Sequence, residues 1–307
     1  MKKKRKGVNM KKLYRMLLCV PVIILLAACS GKNGTEQVKT EDDSAVSVTL
    51  FDALPTESLP SIAPTISPTP EVQKVSQIPT KAPTGAAVDA TEKEEHSKYT
   101  VVIDAGHQKH GNYEEEPIGP GAKTTKAKVS SGTQGKYTGI PEYEVNLEVS
   151  LKLRDILVEK GYQVIMIRET NDVNISNAER AEVANDNEAD VFVRIHCNGS
   201  EDSSVNGILT LCPTKNNPYC SEIYKESRSL SDILLKNLCD ITGAKNKGVT
   251  ETDTMSGINW CKVPVTIVEM GYMTNKKEDY KLTDSQYQDT LAQGLANGIE
   301  EYLVTEQ

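Results

Sequence analysis

From Tyr99 onward, short apolar runs of strand length alternate with longer amphipathic stretches, and this alternation limits the folds open to the chain. The runs lie at 100–104, 163–167, 190–196, 207–211 and 264–268, and most are rich in Val and Ile. Leu147, Val149, Leu151, Leu153, Ile156 and Leu157 recur with helical spacing, and Gly161 supplies a stop. Asn174 or Ser176 caps a following helix through Ala178, Ala181 and Ala184. Further helices are expected at 221–241 and 284–302, whereas 108–141, rich in Gly, Lys, Ser and Thr, reads as a long loop. Strands alternating with helices specify an α/β fold: a single open twisted sheet, mostly parallel or mixed, covered by helices on both faces. In such sheets, sites form beyond the carboxyl ends of the strands.

The chain before Tyr99 has a different character. Seven of the 14 prolines fall between Pro55 and Pro83, among Thr, Ser and Ala. Such a stretch offers too little apolar surface to offset the entropy of ordering it. At the start, Lys and Arg at 2–6, 11, 12 and 15 precede an apolar run at 16–28, the layout of a secretory signal. The run is short of the ~20 residues a spanning helix needs. Leu26-Ala27-Ala28-Cys29 resembles the bacterial lipobox, in which the cysteine becomes the lipidated first residue of the mature protein. The expected organisation is a lipoprotein signal at 1–28, lipidated Cys29 and a tether over 29–98, and a folded domain at 99–307. The product would face outward, anchored to the cell membrane through lipid. An uncleaved signal anchor is the alternative, and Met1 and Met10 both fit as the start.

The net charge of −8 argues against a nucleic-acid partner, which needs a basic footprint. Of seven cysteines, Cys19 lies in the signal and Cys29 in the lipobox. Cys197, Cys212, Cys220, Cys239 and Cys261 have no Cys-x-x-Cys spacing, so they read as packing residues, with a Cys212–Cys220 pair left open.

Among four histidines, His107 and His196 end two of the expected strands, and Glu269 ends a third. Glu142 precedes a helix, where a carboxylate is favoured by the helix N-terminus. Two imidazoles, a carboxylate and a water make a catalytic zinc site with an open position. A further carboxylate beside the water serves as general base and then acid.

Four ordered blocks carry a resemblance to a known family. They are Val101-Val102-Ile103-Asp104-Ala105-Gly106-His107, Glu142-Tyr143-Glu144-Val145-Asn146-Leu147, Val191 to Asn198, and Val263 to Asn275; Arg168, Arg180 and Ala184-Asn185 add to them. Over roughly 100–304 the chain resembles the zinc-dependent N-acetylmuramoyl-L-alanine amidases of the amidase-3 type. The resemblance implies one Zn²⁺ held by His107, Glu142 and His196, with Glu144 as the fallback ligand, and Glu269 as the catalytic carboxylate. It implies peptidoglycan as substrate, cut between N-acetylmuramic acid and L-alanine during wall remodelling. A non-catalytic wall-binding module and a peptidase or amidase for another wall amide bond are the rival readings. The sequence indicates no protein activator.

Several residues keep two readings. Either Asp104 or a nearby backbone carbonyl orients His107 by accepting its other ring proton, the alternative for Asp104 being a loop cap. Arg194 either binds a substrate carboxylate or is a paired structural arginine. Trp260 either lines the groove or packs in the core, and Asn198 is a further candidate substrate contact. His110 is expected to be a loop residue. The long His107-to-Glu142 separation either places lysines over the substrate groove or is a solvated insertion.

Overall fold

The computed structural model describes residues 90–305. The signal, Cys29 and the Pro-rich stretch lie outside the described residues.

In chain order the elements begin with α1 (Ala90–His96), β1 (Thr100–Ala105), β2 (Asn112–Pro117), β3 (Thr125–Val129), α2 (Glu142–Lys160) and β4 (Gln163–Met166). Then come α3 (Asn177–Asp186), β5 (Val191–Asn198), β6 (Ile208–Pro213), α4 (Tyr224–Thr242) and β7 (Asn246–Thr252). The chain finishes with α5 (Ser256–Asn259), β8 (Val265–Tyr272), α6 (Lys276–Leu282) and α7 (Ser285–Thr305). Six strands form one mixed sheet in the order β4-β1-β5-β8-β6-β7. The first four are parallel; β6 runs antiparallel to β8 and carries β7 parallel to itself.

Helices cover both faces, which is why the central strands are unbroken apolar runs rather than alternating ones. Val101, Ile103, Val193 and Ile195 share one buried cluster with Leu153 of α2, Leu234 of α4 and Leu295 of α7. Val102, Phe192 and Ile267 share the other with Ala181 and Ala184 of α3 and Ile258 of α5. Helix α2 stops where Gly161 takes φ 99° and its N–H returns to the Leu157 and Val158 carbonyls. Of the two caps offered for α3, Ser176 is used, in a reciprocal capping box with Glu179.

Several elements depart from the sequence reading. The 108–141 segment contains an antiparallel hairpin, β2–β3. It has no apolar alternation to signal it and is held by bonds to distant elements: Glu116 Oε1 accepts from Ala178 N, and Lys126 Nζ donates to the Thr254 carbonyl. Strand β7 is equally polar. Helix α1 lies in the stretch read as tether, and its last residue, His96, stacks on Tyr162 at 4.3 Å and faces Glu300 at 3.7 Å. All five cysteines from Cys197 to Cys261 are free thiols. Burial raises the Cys212 and Cys220 thiols to about 12.

Candidate metal centre and active site

His107, Glu142 and His196 each bring one ligand atom into a group whose members all lie within 4.8 Å of one another. His107 follows the end of β1, Glu142 is the first residue of α2, and His196 lies near the end of β5. Glu142 Oε1 is 3.3 Å from His107 Nε2 and 3.3 Å from His196 Nδ1. His107 Nδ1 lies 3.0 Å from the Ser130 carbonyl, which can only accept, so the proton belongs on Nδ1. That leaves Nε2 facing the Glu142 carboxylate. Burial pushes His196 down to about 4, leaving that ring neutral at pH 7. Glu142 is itself fully buried, yet the two imidazoles hold it well below the usual carboxylate range. Two imidazoles and one carboxylate brought this close present a donor set that a cation can bridge. The donor set fits a divalent ion such as Zn²⁺.

Local sequence explains how this group is packed. The His196 ring lies against Gly106, where any β-carbon would enter the imidazole. His107 takes φ 61°, a left-handed conformation that costs a non-glycine residue about 1 kcal/mol or more. Arg180 supports that turn by donating to the His107 carbonyl at 3.2 Å and to Gln108 Oε1 at 2.9 Å. Gly132, at φ 83°, leaves room for the Glu142 and His107 side chains; a β-carbon there would come within 2.7 Å of Glu142 Oε2.

Glu269 on β8 is the register partner of His196 across β5 and β8, so the two side chains emerge on the same face. Its Oε2 is buried and has no hydrogen-bond partner, as is His196 Nε2. Burial, helped by the Glu142 charge, raises Glu269 to about 8. An orphaned carboxyl of this kind costs stability, and such groups concentrate where chemistry uses them.

Beneath the site runs a buried ionic network. Asp104 Oδ1 takes a 2.5 Å bond from Arg180, and Oδ2 takes one of 2.9 Å from Arg194. Burial alone would raise the Asp104 carboxyl, but the two guanidinium groups hold it far below its ordinary value. Asp104 therefore does not orient His107; Ser130 does, through its carbonyl and a hydroxyl 3.1 Å from Nδ1. Arg194 is 3% exposed and bound to Asp104 and Asn177, so it offers nothing to a substrate carboxylate. Arg168 donates to the carbonyls of Ala105, Gly106 and Tyr143, tying the ends of β1 and α2 together.

The remaining candidates are placed as follows. Trp260 packs against the second core cluster, and its indole N–H donates to the Pro117 carbonyl at 2.9 Å. Asn198 Oδ1 accepts from the Gly199 N–H. Glu144, two residues along the helix from Glu142, is outside the ligand group, and His110 is exposed in its loop. Lys126 and Lys128 are occupied by Thr254 and Glu114.

Sequence reasoning missed Thr133, Asn146 and Ser130. Thr133 N–H donates to Glu142 Oε2 at 2.8 Å, and Asn146 Nδ2 bridges Glu142 Oε1 and the Gly106 carbonyl. Asn146 stands one helical turn after Glu142, a spacing that signals the contact; nothing in the sequence marks the other two.

The fold and site define an α/β protein with a ligand-ready His–Glu–His group and a buried carboxyl beside it at the carboxyl edge of the parallel strands. Residues 101–301 match the family model described as N-acetylmuramoyl-L-alanine amidase, and the chain belongs to that family of cell-wall amidases. YqiI of Bacillus subtilis (strain 168) is 29% identical over 205 residues, covering 66% of this chain and 84% of YqiI. N-acetylmuramoyl-L-alanine amidase LytC of the same organism is 28% identical over 66% of this chain, but the match spans only 35% of LytC. The catalytic domain of CwlV, an N-acetylmuramoyl-L-alanine amidase from Bacillus (Paenibacillus) polymyxa var. colistinus, superposes with a TM-score of 0.54. It is 30% identical, covering 67% of this chain and 98% of that domain.

Proposed function

We propose that this protein is a Zn²⁺-dependent amidase that hydrolyses the bond between the lactyl carbonyl of N-acetylmuramic acid and the L-alanine of the peptidoglycan stem peptide. The observation that carries this reading is the convergence of His107, Glu142 and His196 within 4.8 Å, with the buried Glu269 beside them. Those three side chains would hold the ion. When bound there, Zn²⁺ supplies a Lewis acid for the carbonyl oxygen and lowers the pKa of water.

The protein's own groups do the rest. A divalent charge nearby favours the ionised form of Glu269, whose carboxyl is otherwise raised to about 8. In that form its Oε2 takes a proton from the attacking water, then returns it to the departing alanine nitrogen. Ser130 keeps the proton of His107 on Nδ1, and Thr133 and Asn146 hold the two oxygens of Glu142. Arg168 and the Asp104–Arg180–Arg194 network fix the strand ends from which these groups project. We further propose that the protein works outside the cytoplasmic membrane, tied to it by lipid on Cys29. Among the described residues no helix is long and apolar enough to cross a membrane.

Peptidoglycan is incubated with the purified protein, with and without chelator, and the products are weighed by mass spectrometry. Stem peptides bearing a free L-alanine amino terminus, lost on chelation and restored by Zn²⁺, are expected. Products cut at another amide would overturn the assigned bond, and activity indifferent to chelation would overturn the metal.

A further inference from the structure

A cleft of about 560 Å³ lies between β2 and the 172–174 turn, lined by His110, Asn112, Tyr113, Asp172 and Asn174 among others. It begins three residues after His107, so its near end is within about 11 Å of that ligand along the chain. One wall belongs to the long segment between His107 and Glu142, and the other is the 172–174 turn. None of its residues takes part in the chemistry described above.

Its lining has a particular character. Tyr113 is 61% exposed, and its ring lies over Gly111, where a β-carbon would come within 2.8 Å of it. The ring therefore rests over the Gly111 backbone while remaining open to solvent. Asn112 Nδ2 donates to Asn174 Oδ1 at 3.1 Å, which aligns two amides along the cleft. Asn174 Nδ2, both Asp172 oxygens and both ring nitrogens of His110 have no hydrogen bond within the described residues, so the cleft that Tyr113 lines also holds uncommitted donors and acceptors. Glu114 is engaged by Lys128 at 2.8 Å, so the acidic charge left at the cleft is that of Asp172. A cleft with that charge does not favour a stem-peptide carboxylate. It suits an uncharged polyol, whose hydroxyl and acetamido groups bind planar amides and carboxylates and whose apolar ring face rests on an aromatic.

We propose that this cleft binds the polysaccharide strand of peptidoglycan, holding N-acetylhexosamine units next to the muramyl residue being cut. The proposal rests on the amidase reading for its substrate, and it adds a subsite that makes the enzyme prefer polymeric wall over single muropeptides.

The test titrates the protein with peptide-free glycan strands, which lack the scissile bond, so binding is read whether or not the amidase reading holds. Tyr113→Ala is expected to weaken strand binding about tenfold, and Tyr113→Phe, which keeps the ring, to bind like wild type. In turnover, Tyr113→Ala is expected to raise KM for peptide-bearing strands while kcat/KM on a single disaccharide-peptide stays unchanged. Strand binding that Tyr113→Ala leaves intact, or no binding by the wild type, would overturn the proposal. So would a loss that falls on free stem peptides instead of strands. Failure of the amidase reading shows differently, as absence of hydrolysis of both substrates by the wild type.

Discussion

Glu269 offers a way to test the site's electrostatics without relying on turnover. Its carboxyl rises from 4.5 to about 8 because it is buried without a partner near the Glu142 charge. A carboxyl whose folded-state pKa exceeds its unfolded value binds more protons folded than unfolded. Its contribution is complete below the unfolded value and is lost as pH rises toward the folded one. In metal-free protein the loss therefore runs from about pH 4.5 to about 8, at up to ~1.4 kcal/mol per pH unit. The upper bound is about 5 kcal/mol, and water entry and local rearrangement around the new carboxylate reduce it to roughly half. Glu269→Gln cannot ionise and escapes the loss. Urea unfolding in chelator should show wild type and variant equally stable near pH 4.5. At pH 8.5 the variant should be more stable by about 2–3 kcal/mol. Adding Zn²⁺ should shrink or reverse the gap, since the cation favours the wild-type carboxylate. Parallel pH dependence of the two metal-free proteins would refute the reasoning, because it would mean that Glu269 is solvated.

Asp104→Asn leaves two buried guanidinium groups facing a neutral amide and is expected to cost about 3–5 kcal/mol, read as a lower urea midpoint with an unchanged slope. Gly132→Ala forces a left-handed φ and crowds Glu142, so Zn²⁺ affinity measured by chelator competition should fall about 10- to 100-fold. An affinity equal to wild type would show that the 130–133 segment does not shape the ligand group. Saturating Zn²⁺ at a hundred times its Kd should stabilise the wild type by about 2.7 kcal/mol, and should do nothing for a His107→Ala, His196→Ala double variant. Reducing agent should leave the melting temperature unchanged, because Cys212 and Cys220 are free thiols; a drop would reveal a bridge.

The central sheet was legible in the order of residues alone. Unbroken Val and Ile runs such as Val101-Val102-Ile103 can be buried only between two helical layers, and they are fully buried. That order also marked His107 and His196 at or near strand ends and Glu142 as a helix start, because strand period and helix onset are local properties. Strand β8, by contrast, runs on past Glu269 to Tyr272, so that carboxyl lies within its strand rather than at the end the sequence suggested. Whatever depends on distant partners emerged only in the folded chain. The β2–β3 hairpin and β7 are polar and are held by cross-strand and long-range bonds, so no periodicity reveals them. Helix α1 exists against α2 and α7, through His96, Tyr162 and Glu300. Asp104 and Arg194 could each have faced the cleft until β1 and β5 paired in register, putting the two side by side beneath Arg180. Ser130 became the partner of His107 by chain reversal across 23 residues, a contact no short-range pattern encodes. Residue type and local spacing set which groups could do chemistry; burial and register, which act through space, set which of them hold the site and which support it from beneath.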